Sequence, residues 1–454
     1  MSWRSQRNRR VAADMALPGP RFAEHPLRRQ LVGEMQLRRV PTFTLPAHML
    51  QLVRIVDAAQ RGAEATALAA MPGAAQAHDR HGAGQVGQLV RTSWERHSEA
   101  TTATVVMTQA AALPLRWTGG EDGEGSEAAT WAETLPGAVV RATRTIVVDD
   151  EAQGQAIADT AGFAPSHLVT CHVEAGPPGH HSVRIWSDFR IHADGYGRMV
   201  VAANRAMPGD LARCVQRLQE LGNYRNLALL GLAVTRASWS ELDRLEGAIQ
   251  DVAQDLTQAR ERDDDLLATL TQLSAQLLSI GGGSGYRLSA TAAYARIVVS
   301  RLAELRVTPI AGYQSLDDFT ERRFLPAVRT CAALTERLAL VDGRAAQCTA
   351  LLRTRIETHI ENQNARLLTS MDRSARMQLQ LQHLVEGLSV VAISYYCVGL
   401  LSYLVKAAEK HWPALPATLL LGAMVPVVAA SVLWFMRRAR GRLVSGDKHA
   451  ATGA

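Results

Sequence analysis

The chain has 454 residues, 47% of them hydrophobic and 20% charged, with a formal net charge of +6. That length accommodates about two or three domains with a sizeable core, and that apolar fraction excludes a globally disordered chain. The basic excess is too small to make nucleic acid an expected partner, and five scattered cysteines with no CxxC pair argue against a disulfide framework or a cysteine zinc site and suit a reducing cytosol.

Residues 1–20, MSWRSQRNRRVAADMALPGP, are basic but lack the apolar core of a secretory signal and are expected to form a disordered arm. From 21 to 235, strand-like and helical stretches alternate, which predicts an α+β cytoplasmic domain. Pro26 to Arg38 reads as an amphipathic helix opened by proline. Pro72 to Gln88 and the acidic, glycine-rich Gly119 to Gly125 read as loops. Thr101 to Val106 and Thr145 to Val148 are β-branched and strand-like, and His167 to Val173 and Val183 to Ile191 follow as strands. Asp194-Gly195 is a hairpin-turn signal leading into Met199 to Ala202. A helix from about Leu211 to Leu221 closes the domain near Val234. Within it His172, His180, His181 and His192 lie close in sequence to Glu174, Asp188 and Asp194, but their spacing fits no tight ligand motif. The chain has no G-x-S-x-G, H-E-x-x-H or Walker pattern, so an enzyme is not the expected reading and no cofactor is implied.

Residues 236–383 form the second region. Leu242, Ile249, Leu256, Asp263, Leu270 and Leu277, interleaved with Leu245, Val252, Ala259, Leu266, Leu273 and Ile280, keep a 3-4 spacing that predicts a coiled coil. Asp263 is the one break; it either sets the register of the seam or is a solvated defect beside Asp264 and Asp265. Gly281-Gly282-Gly283-Ser284-Gly285 reads as a flexible turn, followed by a helix from about Ser289 to Arg306 that Thr308-Pro309 ends. A further helix opens at Ser315, with Asp318 at capping-box spacing. Cys331, Leu334, Leu338, Val341, Ala345, Cys348 and Leu352 give it a 3-4 stripe, and Ile356 and Ile360 then step by fours, a stutter. No stop follows: Ala327 to His383 alone is roughly 85 Å of helix at about 1.5 Å per residue, a stalk. Arg366, Arg373 and Arg376 near its end either meet anionic lipid head groups or form a solvated face.

Residues 384–436 are expected to be a transmembrane hairpin. Gly387 to Val405 and Trp412 to Met436 are uncharged, each long enough to cross roughly 30 Å of hydrocarbon, and only Lys406 to His411 separates them. Arg437, Arg438, Arg440, Arg442 and Lys448 make 437–454 a basic tail, which the positive-inside rule places in the cytoplasm together with the N-terminal region. Arg437 and Arg438 are further candidates for head-group contact. In the first span Ser389, Ser394, Tyr395, Tyr396 and Ser402 are polar and Gly399 permits close approach; these six residues either pack the hairpin or face a pore in an oligomer. No carboxylate lies deep in either span, so a proton relay is not supported.

Several stretches resemble a bacterial family of uncharacterised membrane-anchored proteins, a domain of unknown function: HPLRRQLVGEMQLR (His25 to Arg38), WERHSEATTATVV (Trp94 to Val106), SDFRIHADGYGRMVV (Ser187 to Val201), YRNLALLGL (Tyr224 to Leu232), LLRTRIETHIENQNARLLTSMDRSAR (Leu351 to Arg376) and EGLSVVAISYYCVGL (Glu386 to Leu400). The resemblance spans roughly residues 21 to 440 and implies a membrane protein. The order of parts, an α+β cytoplasmic domain followed by long coiled-coil and stalk helices and a two-helix transmembrane hairpin, also resembles CorA-type magnesium channels. That resemblance implies a pentamer whose stalk continues into the pore, with a cation as partner. The Gly-Met-Asn signature of those channels is missing, since the corresponding region reads Ser402-Tyr403-Leu404-Val405-Lys406, which argues against magnesium selectivity.

Three functions are therefore in view. The first is a homo-oligomeric protein of the bacterial inner membrane, crossing it more than once with both termini cytoplasmic, that couples its cytoplasmic domain to the lipid bilayer without chemistry of its own. The alternatives are a CorA-like ion channel or transporter and a membrane-tethered metal-binding or hydrolytic domain.

Overall fold

A computed structural model describes residues 22–23, 25–28, 31–32, 42–77, 80–108, 117, 124–177, 179, 181–258, 262–409 and 417–447. The expected arm at 1–20 lies outside them, as does most of the helix expected over Pro26 to Arg38, although the Leu31 amide donates to the Leu27 carbonyl at 2.8 Å. The chain divides into two compact units, Met1–Cys348 and Thr349–Ala454.

The first unit is built on a 10-stranded sheet. In chain order the elements are β1 (Ala47–Ile55), α1 (Arg61–Ala69), β2 (Ala74–Ala77), β3 (His81–Val86), β4 (Val90–Arg96), β5 (Ala100–Thr108), α2 (Glu124–Thr134), β6 (Ala138–Val148), α3 (Glu151–Thr160), β7 (Val169–Glu174), β8 (Ser182–Ser187), β9 (Gly197–Ala202), α4 (Pro208–Gln258), α5 (Asp263–Leu305) and β10 (Thr308–Pro309). The strand order is β10-β7-β8-β9-β6-β1-β5-β4-β3-β2, antiparallel except between β6 and β9. β1 is central and buried on both faces. Its residues alternate, so Leu50 and Leu52 pack with Leu68 of α1 and Trp131 of α2, while Ala47 and Met49 pack with Leu211 and Val215 of α4. Ile146 of β6 and Trp186 of β8 form a smaller cluster with Ala158 of α3. α3 approaches the sheet through Gly154, where a Cβ would come within 2.8 Å of the Trp186 ring.

The expected strands appear at β5 to β9, and Gly195, at φ 82°, lies in the connection between the paired strands β8 and β9. Two readings of residues 21–235 need correction. Residues 72–88 hold β2 and β3 rather than a loop, because small residues at Gly82 and Gly84 let the neighbouring backbone and the Trp94 ring come close. The domain end expected near 235 falls inside α4, which runs unbroken through it.

The 3-4 stripe from Leu242 to Ile280 is not one continuous seam. α4 ends at Gln258, Arg262 takes an extended N-cap conformation, and α5 returns antiparallel: Arg244 donates to Gln276 Oε1 (2.8 Å), Thr291 to the Ala228 carbonyl (2.9 Å), and Arg301 to Glu220 (2.6 Å). Asp263 therefore heads α5, where it, Asp264 and Asp265 stand against the positive end of the helix dipole, instead of interrupting a heptad seam. The glycine run is not a turn either. Gly281 to Gly285 lies inside α5, because the buried stripe Leu266, Leu270, Leu273, Leu277, Ser284, Leu288, Thr291 and Ala295 continues through it and packing outweighs low propensity.

After β10, Ser315 caps α6 (Leu316–Phe319), accepting from the Asp318 amide at 3.3 Å. One π-turn, Thr320–Phe324, precedes α7 (Leu325–Glu409), where Pro326 lacks the amide a regular turn requires. The start of α7 runs parallel to α4: the Arg225 guanidinium lies over the Phe319 ring, and further on Arg337 pairs with Asp243 (2.5 Å) and Glu246 (2.6 Å).

In the second unit α7 continues without a break, and α8 (Ala417–Asp447) carries Pro426 inside it. Ile393 of α7 shares an apolar groove with Val427, Ala430, Trp434 and Phe435 of α8.

A helical course through the glycine run has a direct consequence. Nothing lies within 4 Å of a Cβ built on Gly282 or Gly283, and neither has a positive φ. Gly282→Ala and Gly283→Ala should each stabilise the full chain by about 0.5–1 kcal/mol in thermal unfolding; destabilisation by either would restore the turn.

Candidate functional site

Of the described helices, the one from Leu316 to Ala407 is long and apolar enough to cross a membrane; its most apolar window has a mean hydropathy of 1.9 and is 0% buried. A core helix of a water-soluble protein would hide such a window. Leu421–Met436 is a shorter apolar run.

Along the same helix a 3-4 repeat continues where the expected stripe stuttered. It runs through Ile360, Asn364, Leu367, Met371, Ser374, Gln378, Leu381, Val385, Leu388, Ala392, Tyr395, Gly399 and Ser402. Its large apolar members are exposed, from Ile360 at 49% to Tyr395 at 76%. Three of the six pore-facing candidates, Tyr395, Gly399 and Ser402, fall on this line, and Ser389, Ser394 and Tyr396 fall one position to either side. Ser389 donates to the Val385 carbonyl (2.8 Å) and Ser402 to Gly399 (2.7 Å), so these hydroxyls are satisfied within the helix, while the shielded Ser394 hydroxyl has no partner. Arg376 pairs with Asp372 at 2.8 Å on the exposed surface, Arg373 is exposed, and the Arg438 guanidinium lies over the Trp434 ring. Arg437 lies within α8. The repeat was legible as spacing alone; its polar members Asn364, Ser374 and Gln378 mask it.

The sheet unit contains a cleft of about 1070 Å³ that the sequence did not announce. One wall is the face of β1, β3, β4 and β5 that carries Gln51, Ser93, Thr102 and Thr104; the other is α4 with Gln219, Asn223 and Tyr224 and α5 with Tyr294. The Tyr224 and Tyr294 rings stand 5.6 Å apart. Its strand wall includes β3, read as loop, and β1, which carries no signal distinct from its neighbours.

The histidines do not converge. His172 pairs with Glu151 (2.9 Å), a carboxylate shared with Arg184 and Asn204; His192 pairs with the buried Asp188 (3.3 Å); Glu174 is held by Arg306 and Asp194 by Arg198. His180 lies outside the described residues. Among the described residues no group of three or more His, Cys, Asp or Glu is arranged to hold a metal ion. Burial pushes the thiols of Cys171 and Cys214 up to about 12, which removes them as nucleophiles at neutral pH.

The sequence matches the family described as "Protein of unknown function (DUF3422)" over residues 23–443. None of the curated proteins matches it. Among solved structures it is similar to one described as "structure of the full-length CmaX protein", at 14% identity and a TM-score of 0.21, covering 68% of this chain and 91% of that one.

One titratable group in the sheet stands apart. His48 of β1 is 2% exposed, and neither ring nitrogen has a partner. Burial, with the Arg144 charge adding, pulls its pKa from 6.5 to about 4. Between those values the unfolded chain binds a proton that the folded chain does not, so stability is full above pH 6.5 and falls as the pH drops toward 4, by about 3 kcal/mol in all. Thermal unfolding of the full chain in detergent should show His48→Phe losing much less stability than the wild type between pH 7 and pH 4.5; equal losses would contradict the assignment.

Proposed function

The chain belongs to the DUF3422 family, whose description assigns no activity, and we propose that it is a membrane-anchored protein that assembles with copies of itself and couples its sheet unit to the inner membrane through α7. The observation that carries this reading is the apolar window of α7, none of which is buried. Leu388, Val390, Val391, Ile393, Val398, Leu400, Leu401, Leu404 and Val405 stand within it. At roughly 1.5–3 kcal/mol for each aliphatic side chain fully removed from water, their combined exposure is on the scale of the roughly 5–15 kcal/mol that stabilises a whole domain. Hydrocarbon relieves that cost. The second crossing is Trp412 to Met436, and the arginines after it hold the C-terminus and the sheet unit on the cytoplasmic side. In this reading Arg373 and Arg376 before the first crossing and Arg437 and Arg438 after the second stand on the same, cytoplasmic face of the membrane, where they would meet phosphate head groups.

Oligomerisation follows from the exposed 3-4 line. Copies anchored by the same segment in one membrane present this line in the same direction and at the same depth, the condition for an in-register parallel seam. Asn364 and Gln378 then specify alignment at the expense of some stability. A second reading, an ion path, draws on one observation: where the line enters the span it becomes Tyr395, Gly399 and Ser402, polar or small. In that case reconstituted vesicles pass a cation, and Gly399→Leu abolishes the flux.

Two measurements test the anchored oligomer. The full chain should stay with membranes after an alkaline wash, and a chain ending at His383 should move to the soluble fraction. With Cys397→Ser as background, Met371→Cys on the line should form disulfide-linked dimers under oxidation in native membranes, and Thr369→Cys on the opposite face should not. Equal cross-linking of the two would remove the parallel seam.

A further inference from the structure

The sheet unit carries buried positive charge that no carboxylate among the described residues neutralises. Arg141 of β6 is 7% exposed, and its Nη1 donates to Gln51 Oε1 (3.0 Å), Gln219 Oε1 (2.8 Å) and Asn223 Oδ1 (2.7 Å). All three acceptors are neutral amides. Arg225 of α4 is 8% exposed, lies 4.4 Å over the Phe189 ring, and has an Nη1 with no acceptor. The two guanidiniums are close enough to repel. Among the described residues no carboxylate pairs with either. Burying an ion without a counter-charge costs several kcal/mol, and here two are buried together.

The arrangement in front of Arg141 shows where an anion would answer that charge. Gln51, Gln219 and Asn223 line the cleft and turn their oxygens back onto the guanidinium. The Gln51 and Gln219 nitrogens go on to Thr104 (3.1 Å) and Thr145 (2.7 Å), which leaves the Asn223 nitrogen as a donor polarised by Arg141. Gly222 is what permits this depth: a Cβ there would come within 2.7 Å of Arg141 Nε and Nη2. Arg91, on the sheet wall of the cleft, bonds the Thr42 carbonyl and, among the described residues, no carboxylate. The Thr102 hydroxyl is buried in the same cleft without a partner. Beside these polar groups stand the Tyr224 and Tyr294 rings, Leu227 and Ile297.

We propose that this cleft binds a small organic oxyanion, a carboxylate or phosphate on an apolar or aromatic body, with the anionic group at Asn223 in the field of Arg141 and the body against Tyr224, Tyr294 and Leu227. A volume of about 1070 Å³ is that of a ligand site, not of a water pocket. Thr102 takes a second polar group of the ligand.

Two dyes that differ only by an anionic group test this on the full chain in lipid nanodiscs, with the signal of empty discs subtracted. 1-Anilinonaphthalene-8-sulfonate should bind one site per chain at least tenfold more tightly than its uncharged counterpart N-phenyl-1-naphthylamine. Arg141→Met, or Asn223→Leu should the first fail to fold, should bring the two affinities together, and Ser93→Trp, which fills the cleft, should remove the site for both. Displacement of the sulfonate dye by octanoate but not octyl phosphate identifies a carboxylate ligand, and the reverse a phosphate. Equal binding of the two dyes, an unchanged preference in Ser93→Trp, or displacement by neither competitor would overturn the proposal.

Discussion

One helix, Leu325–Glu409, sets the conditions for everything else in this protein. Its first turns belong to the sheet unit, held by Arg337 on Asp243 and Glu246, and its last turns are apolar and unburied. A helix satisfies its own backbone hydrogen bonds, so it can pass from water into hydrocarbon without an unpaired amide, which a strand or loop cannot do. In the anchored reading proposed above, the apolar window lies in hydrocarbon and the arginines flanking it lie at its surface.

Most of the element types were legible in the residues, for reasons that differ by region. The strands β5 to β9 announce themselves through β-branched runs and the Asp194-Gly195 turn. Ser315 announces the cap of α6 because a hydroxyl three residues before an acidic residue answers the first free amides of a helix. The errors share one cause, which is that tertiary packing decided what local pattern left open. Leu242 to Ile280 satisfies a heptad template whether the chain continues straight or folds back between α4 and α5, since each half can bury its stripe against the other. The glycines at 281–285 favour a turn until Leu277 and Leu288 on either side are anchored against α4. Gly82 looks like a loop residue until the Trp94 ring occupies the space it leaves, and Gly84 until the Gly73 backbone does.

The candidate site was less legible than the fold. The apolar window is a property of composition and could be read directly. The exposed 3-4 line from Ile360 to Ser402 is interrupted by Asn364, Ser374 and Gln378, so a search for apolar repeats passes over it. The cleft depends on residues far apart in sequence: Gln51, Arg141 and Asn223 meet only because β1 and β6 pair and α4 crosses them. Sequence spacing carries no trace of that meeting, and a buried arginine with only amide partners is recognisable as unusual only once its surroundings are known.

The claim most exposed to test is that Gly387 to Val405 sits in hydrocarbon. Single cysteines placed along 373–410 of the full chain, in a cysteine-free background, can be offered a membrane-impermeant maleimide in native membranes open on both faces. The account predicts labelling at position 373 and protection throughout 387–405 that detergent does not need to expose elsewhere in the stalk. Uniform labelling across 387–405 in intact membranes would contradict it.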